Sequence, residues 1–113
     1  MKRLYRLFTV IRVFKNWPTI LIAKISGSIP ILRLRNNVVF HVANLNSNLL
    51  TVLEIWREKQ YGDAPTGTVL DHGANIGAFS VYAAHAGAVV HAYEPEPTNC
   101  AVLRKNVTGL SVQ

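Results

Sequence analysis

A short run in the second half of the chain has the residue types of a ligand-binding turn. It is Val69-Leu70-Asp71-His72-Gly73-Ala74-Asn75-Ile76-Gly77, and Glu94-Pro95-Glu96-Pro97 follows one helix and one strand later. Gly73 permits a tight turn and keeps a Cβ out of the way of a ligand, while Gly77 allows the next helix to pack near the strand. The first turn of that helix presents unpaired N–H groups to a carboxylate or phosphate. These residues predict a ligand site where a strand ends.

A second acidic position strengthens this prediction. Glu94 is expected at the carboxyl end of the next strand, 21 residues after Gly73, where a carboxylate can accept hydrogen bonds from both ribose hydroxyls. Ligands of open α/β sheets bind outside the carboxyl ends of the strands, and Asp71, Gly73 and Glu94 all fall there. The spacing therefore favours a cofactor that contains a nucleoside.

Two classes of cofactor use such a turn, and the loop residues favour one of them. A dinucleotide site expects G-x-G-x-x-G, whose second glycine lets a pyrophosphate lie against the backbone, but Asn75 occupies that position. The carboxylate of Asp71 would repel a pyrophosphate, whereas it suits the ammonium and sulfonium groups of the methyl donor S-adenosylmethionine. A purely structural strand-to-helix turn would account for the two glycines but for neither Asp71 nor Glu94.

The two motifs also resemble a known family. Val69 to Ser80, with D-x-G-A-N-x-G, and Ala92 to Asn99, with E-P-x-P-x-N, are similar to the FkbM-type class I methyltransferases. The hairpin and helix expected ahead of them resemble the lead-in of that family. A later D-x-E-G motif of the family has no counterpart in these 113 residues.

This resemblance implies a cofactor and a reaction. It implies that Asp71, Gly73 and Asn75 line the methionine end of S-adenosylmethionine, that Glu94 holds the ribose and that Pro95 flanks the adenine. The reaction it implies is O-methylation of a sugar, lipid or natural-product hydroxyl. The predicted cofactor-binding residues are Asp71, Gly73, Asn75, Gly77, Glu94 and Pro95. No residue is assigned as the catalytic base, and we expect no metal, because the four histidines and Cys100 lack ligand spacing.

The elements that must position these residues form the pattern of a parallel βαβ unit. The expected order is a strand, a helix, a second strand, a second helix and the start of a third strand: Thr68–Asp71, Gly77–Ala86, Ala88–Tyr93, Pro97 or Thr98 to Asn106, and Leu110–Gln113. The fold class is therefore α/β, with a Rossmann-like methyltransferase sheet of which two to three parallel strands are present. Residues 67–113 are predicted to be the incomplete cofactor-binding domain.

Residues 1–66 are predicted to be a lead-in of helix, hairpin and helix. An amphipathic helix carries a core-facing stripe and ends near Trp17-Pro18, and Asn36-Asn37 turns a hairpin between Ile31–Arg35 and Val38–Val42. A second helix runs from about Leu49 to Tyr61, capped by Asn46 or Ser47 and stopped by Gly62. The stripe of the first helix is Leu4, Leu7, Phe8, Ile11 and Phe14; the apolar face of the second is Leu49, Leu50, Leu53 and Trp56.

Charge is distributed unevenly along the chain. Residues 1–60 carry a net charge of +8 and residues 61–113 a net charge of −2. The basic part is interpreted as a solvated helix face, with peripheral contact of the first helix with a membrane as the alternative. No uninterrupted apolar stretch is long enough to span a bilayer, so a cytoplasmic location is expected. The expected partner is a small-molecule, glycan or lipid acceptor, and no nucleic acid.

Length limits the activity that these residues are expected to show. A chain of 113 residues has room for one domain at most, and half of a methyltransferase sheet leaves strand edges uncovered. We therefore expect the chain to be inactive on its own. A non-catalytic methyltransferase-like binding module and a remnant of an interrupted reading frame remain the alternatives.

Overall fold

The computed structural model describes residues 2–57, 63 and 65–113. Within these ranges the chain is a mixed α/β protein with one antiparallel and one parallel two-stranded sheet. In chain order the elements are α1 Lys2–Val13, α2 Trp17–Ser26, β1 Leu32–Arg33, β2 Val39–Phe40, α3 Leu45–Val52, a π-helical turn Leu53–Arg57, β3 Thr68–His72, α4 Ala78–His85, β4 Val89–Tyr93 and α5 Pro97–Asn106.

The parallel pair is the sheet that the sequence predicts. β3 and β4 pair in parallel from Thr68 opposite Val89 to His72 opposite Tyr93, and α4 connects them. On the other edge of β4, Val112 forms a parallel bridge with Val90. The βαβ order and the start of a third strand are therefore confirmed, and the carboxyl ends of β3 and β4 meet at one edge.

The predicted hairpin is present, but its turn differs from the prediction. β1 pairs antiparallel with β2, with Leu32 opposite Phe40, and the Leu34 N–H donates to the Val38 carbonyl at 2.9 Å. Three residues thus form the loop, and of its two asparagines only Asn37 has a positive φ, of 72°. Three-residue hairpin loops place one residue in the left-handed region at this position. The predicted two-residue turn at Asn36-Asn37 is therefore wrong in length, because Arg35 also belongs to the loop.

The N-terminal region contains a helix that the sequence does not predict. α1 ends at Val13, ahead of the expected end near Trp17-Pro18, and Pro18 lies in the first turn of α2 instead of ending a helix, because a proline fits the first turn, where no N–H is needed. The predicted core-facing stripe is confirmed at Phe14, which is buried, and wrong at Leu4 and Phe8, which are exposed. Thr9 and Val10, outside the predicted stripe, are buried instead. No helix in the described ranges has the length and apolar content that a membrane span needs.

The helix ahead of the parallel pair begins earlier than predicted. Asn44 caps α3 by accepting a hydrogen bond from the Ser47 N–H at 3.1 Å, so neither Asn46 nor Ser47 is the cap. The helix then widens into the π-helical turn, which shifts the buried face so that Val52 and Ile55 are buried and Leu50 is 40% exposed. The predicted end at Tyr61 and stop at Gly62 lie outside the described residues.

One main core joins the lead-in to the parallel pair. Trp56, in the π-helical turn, donates from its indole Nε1 to the Ala78 carbonyl at 3.1 Å and packs edge-on against Phe40 and Tyr82. The hairpin, the π-helical turn and α4 therefore pack on one another and position the start of α4. The buried side chains of this core include Val10, Phe14, Ile20, Leu32, Phe40, Val52, Ile55, Ile76 and Val81.

Candidate functional site

The loop after β3 is tied to the carboxyl end of β4 by three hydrogen bonds. The N–H groups of Gly73 and Ala74 donate to the Tyr93 carbonyl at 2.9 and 3.0 Å. The Asn75 N–H donates to Oε1 of Glu94 at 2.8 Å. Each of these three amides has its partner on β4 or directly after it, so the two strand ends and the loop form one rigid corner.

Three residues of this corner have positive φ, and they differ in what surrounds them. The φ angles of Gly73, Asn75 and Gly77 are 70°, 57° and 93°. A Cβ built on Gly73 would meet no atom within 4 Å, whereas one built on Gly77 would lie 2.5 Å from Leu103 Cδ1. Gly73 thus leaves open space beside the backbone, as predicted for ligand approach. Gly77 allows close packing against α5, so the prediction that it serves packing against the strand is wrong.

Asp71 is a half-buried carboxylate near the end of β3. Its Oδ2 accepts a hydrogen bond of 2.6 Å from the Ser80 hydroxyl on α4. Burial raises the pKa of Asp71 above its ordinary value, since water no longer stabilises the anion fully. The Ser80 hydrogen bond and the charge of His72 lower this pKa, and the negative charge of Glu94 raises it further. The site therefore holds a carboxylate that a cationic group would stabilise.

Glu94 also points into the corner, as its two oxygens show. Oε1 accepts from the Asn75 N–H, and Oε2 accepts from the Glu96 N–H at 3.1 Å. A carboxylate oxygen has two lone pairs, so each oxygen keeps the capacity to accept one more hydrogen bond. The side chain fixes the loop and can still bind hydroxyl groups.

A cavity of about 500 Å³ opens in front of Asp71, a volume typical of small-molecule sites. Two carboxylates, Asp71 and Glu54, border it, and no lysine or arginine is among the described residues that line it. The side-chain Oδ1 of Asn75 is buried and has no hydrogen-bond donor within the described residues. The two carboxylates thus offer acceptors to a ligand that donates hydrogen bonds. The lining residues are Thr51, Glu54, Ile55, Leu70, Asp71, His72, Gly73, Ala74, Asn75, Ala78 and Phe79.

Comparison with known proteins gives one informative similarity. The chain is similar to a methyltransferase. It is 35% identical over 88 residues to the 31-O-demethyl-FK506 methyltransferase FkbM of Streptomyces tacrolimicus, an alignment that covers 72% of this chain. The chain spans about a third of that relative, 34% of its length. No protein-family model matches the chain. The similarity supports a relationship to methyltransferases and extends well beyond the two motifs.

The six predicted cofactor residues occupy different places around the corner. Asp71, Gly73 and Asn75 line the cavity. Glu94 joins them through its hydrogen bond to the Asn75 N–H. Gly77 lies behind the loop against α5. Pro95 is exposed beside Glu94 and is not part of the cavity lining. The ligand roles of all six remain predictions.

Three polar residues shape the site beyond those predicted to bind the cofactor. From the sequence, Glu54 is interpreted as a surface charge, with a position facing the cofactor as the alternative; it is half-buried at the cavity. The other two are not predicted from the sequence. Ser80 is fully buried and holds Asp71, and its position between apolar residues of α4 is the signal that could have indicated this. Asn106, at the end of α5, donates to the Ile76 carbonyl at 2.8 Å. Its partner in the loop lies 30 residues earlier in the sequence, so no local sequence pattern indicates this contact.

The ring of His72 lies outside any cluster of metal ligands. It is exposed and stacks on Tyr93, with ring centroids 5.0 Å apart and planes inclined by 12°. Over the described part of the chain, no three His, Cys, Asp or Glu side chains come together as a metal site. The stacked pair forms the exposed outer rim of the corner where β3 and β4 end.

Proposed function

We propose that the chain carries the S-adenosylmethionine-binding part of a class I methyltransferase of the FkbM type, built on a Rossmann-like sheet. The observation that carries this proposal is the cavity at the ends of β3 and β4. It is bounded by a glycine-containing loop and two carboxylates, with no lysine or arginine among the described residues of its lining. The similarity to an FkbM methyltransferase supports the same assignment.

The charge of the cavity suits the methionine end of this cofactor. S-adenosylmethionine carries an ammonium group with three donors and a sulfonium group. Asp71 is a charged acceptor at the cavity, and Glu54, which also lines it, adds a second negative charge. A cation in this position would lower the pKa of Asp71 that burial raises. Ligand binding would thus relieve the cost of burying that carboxylate.

Glu94 is the residue proposed to bind the ribose. Both of its oxygens are held by backbone N–H groups, so the carboxylate is oriented before a ligand binds. Their remaining lone pairs can accept from two neighbouring hydroxyls. Pro95 would then flank the adenine, in accordance with the FkbM resemblance. Because this carboxylate is already held in place, binding of a nucleoside would not cost the entropy of ordering the Glu94 side chain.

When bound, the cofactor would supply an electrophilic methyl group for in-line transfer to a nucleophile. The described residues would bind and orient it, which is the main protein contribution to such a displacement. We propose a hydroxyl of a sugar, lipid or natural product as the acceptor. A hydroxyl acceptor needs a general base, and we assign none.

A dinucleotide is the competing cofactor, and the cavity disfavours it. A pyrophosphate would face Asp71 and Glu54, and the described part of the lining offers no lysine or arginine to neutralise it. The two negative charges of the pyrophosphate and the carboxylates of Asp71 and Glu54 would repel each other strongly in a half-buried site. The loop also has Asn75 where the second glycine of a dinucleotide motif would lie.

Isothermal titration calorimetry of the 113-residue chain tests the proposal, with S-adenosylmethionine, S-adenosylhomocysteine and NAD as titrants. We expect the two methionine-derived nucleosides to bind and NAD to bind at least about tenfold more weakly. Asp71→Asn should weaken S-adenosylmethionine binding about tenfold or more, because one ion pair is lost. Asp63→Asn, which removes a charge ahead of the amino end of β3, is the matched control and should leave affinity unchanged. Tighter binding of NAD would overturn the proposal.

A further inference from the structure

The two N-terminal helices expose apolar side chains on the sides that face away from the core. On α1 these are Leu4 and Phe8, one helical turn apart; on α2 and just after it they are Ile22, Ile25 and Ile29. Phe8 is 63% exposed and Ile25 is 89% exposed. We call these five residues the amino-terminal face. Large exposed apolar side chains concentrated on two helices are typical of an interaction surface.

The apolar character of α2 makes this exposure unusual. Only Ile20 and Ala23 of this helix are buried, yet Lys24 is its only charged residue. A helix that is apolar on all sides is normally covered on all sides. The outward side of α2 therefore calls for a partner with an apolar interior.

The segment that carries the amino-terminal face is basic and contains no acidic residue. The first acidic residue of the chain is Glu54, and the preceding segment contains eight lysines and arginines. Arg6 of α1 and Lys24 of α2 border one groove of about 340 Å³ whose other lining residues include Leu49 and Leu50. The two helices thus direct one cation each toward a groove with apolar walls.

The positive charge and the exposed apolar side chains together favour one of three possible binding partners. A second copy would bring two strongly basic segments together, which costs electrostatic energy. A nucleic acid would account for the cations but not for Ile25 and the other exposed isoleucines. An anionic bilayer accounts for both, since apolar side chains enter the acyl boundary while cations contact the headgroups.

We propose that the amino-terminal face docks on an anionic phospholipid bilayer. α1 and α2 lie on the bilayer surface, with Phe8 and Ile25 inserted and Arg6 and Lys24 at the level of the phosphates. This inference is independent of the methyltransferase proposal, because it uses no residue of the cavity.

Vesicle flotation of the 113-residue chain tests the inference. Vesicles of phosphatidylcholine alone are compared with vesicles that contain about one third phosphatidylglycerol. We expect the chain to float with the anionic vesicles, to float at least about tenfold less with the neutral ones, and to dissociate as ionic strength rises.

Two matched pairs of variants distinguish docking through the amino-terminal face from a general effect of the charge of the chain. Ile25→Glu should lower the partition coefficient at least about tenfold, whereas Val89→Glu, a similar change on β4, should leave it within about twofold. Arg6→Gln with Lys24→Gln should lower it roughly 30-fold. Arg104→Gln with Lys105→Gln removes the same charge from α5 and should have little effect. Far-UV circular dichroism verifies that each exposed-site variant stays folded.

Three results would overturn the inference. The first is no flotation of the wild-type chain, and the second is an equal loss in the paired controls. The third is a dimer, seen by light scattering, that Ile25→Glu dissociates while vesicle binding is absent. Tighter binding to a DNA duplex than to anionic vesicles, unaffected by Ile25→Glu, would assign the surface to nucleic acid instead.

Discussion

The backbone N–H of Asn75 donates a hydrogen bond of 2.8 Å to the carboxylate of Glu94. The other oxygen of that carboxylate accepts from the Glu96 N–H. A side chain that the sequence motif assigns to the ligand therefore also fixes the loop on which the ligand would lie. We therefore expect substitutions of Glu94 to change local stability as well as ligand affinity.

Removal of the Glu94 carboxylate is expected to destabilise the chain. Glu94→Ala leaves the N–H groups of Asn75 and Glu96 without their acceptor, and we expect a loss of about 1–3 kcal/mol in the free energy of unfolding. Glu94→Gln keeps one oxygen for the Asn75 N–H and should lose less. Urea unfolding followed by circular dichroism measures both. An alanine variant as stable as the wild type would show that water replaces the carboxylate at no cost.

Asp71 is expected to stabilise the fold less at neutral pH than in acid. Burial holds its pKa above the ordinary 3.8 in the folded chain. The native state therefore binds the proton more tightly than the unfolded state. Stability contributed by this group is greatest below pH 3.8 and is lost as the pH rises through the folded pKa.

Asp71→Asn tests this sign. The variant removes the buried charge, and its amide oxygen can still accept the Ser80 hydroxyl, so we expect a higher melting temperature than wild type at neutral pH. The difference should disappear below the ordinary aspartate pKa. Ser80→Ala, which removes the favourable hydrogen bond instead, should lower the melting temperature at neutral pH. An asparagine variant less stable than wild type at neutral pH contradicts the prediction.

Gly77→Ala is expected to cost more than Gly87→Ala, although both glycines have a similar φ, of 93° and 99°. Backbone strain in the left-handed region costs about 1–2 kcal/mol in each. A Cβ at Gly77 would also lie 2.5 Å from Leu103 Cδ1, whereas one at Gly87 meets nothing within 4 Å. We expect about 1–3 kcal/mol of additional loss at Gly77 from this overlap. Equal unfolding midpoints in urea would show that Leu103 repacks freely.

The parallel unit was predictable because its signals are local. The positive-φ positions at Gly73 and Gly77 lie between β3 and α4, and Gly87 lies between α4 and β4. Glycines at these points fix where each element ends, and the β-branched residues before Gly73 and after Gly87 favour strands. Pro97 then starts α5 where expected. Each boundary depends on residues within a few positions, so the order of elements followed from the sequence alone.

The N-terminal region was predicted less well because its burial depends on distant contacts. Leu4 and Phe8 lie on the apolar side of α1 but are exposed, whereas Phe14 of the same predicted stripe is buried and forms a bridge with Leu34 of the hairpin. The Thr9 hydroxyl donates to the Tyr5 carbonyl at 2.8 Å, which satisfies it at a buried position. Helical spacing identifies an apolar side, but the partner that covers that side is not encoded in the spacing.

Within the site, the residues that touch the predicted ligand were recognisable and those that support them were not. The types and spacing of Asp71, Gly73 and Glu94 have a chemical reason, so they stand out in the sequence. Asn106 supports the same loop through its hydrogen bond to the Ile76 carbonyl, 30 residues away in sequence, and it also donates to the His41 carbonyl, 65 residues away. An asparagine at the end of a helix has no local feature that indicates such contacts.

Asn106→Asp is expected to destabilise the chain by about 3 kcal/mol. The buried amide of Asn106 donates to the carbonyls of Ile76 and His41 at 2.8 and 2.9 Å, and its oxygen accepts from the His41 N–H. A carboxylate keeps the acceptor but turns both donor contacts into repulsion between oxygens. Asn46→Asp, at an exposed position of α3, is the matched control and should change stability little. Urea unfolding compares the two, and equal stability would show that the loop before Gly77 does not depend on α5.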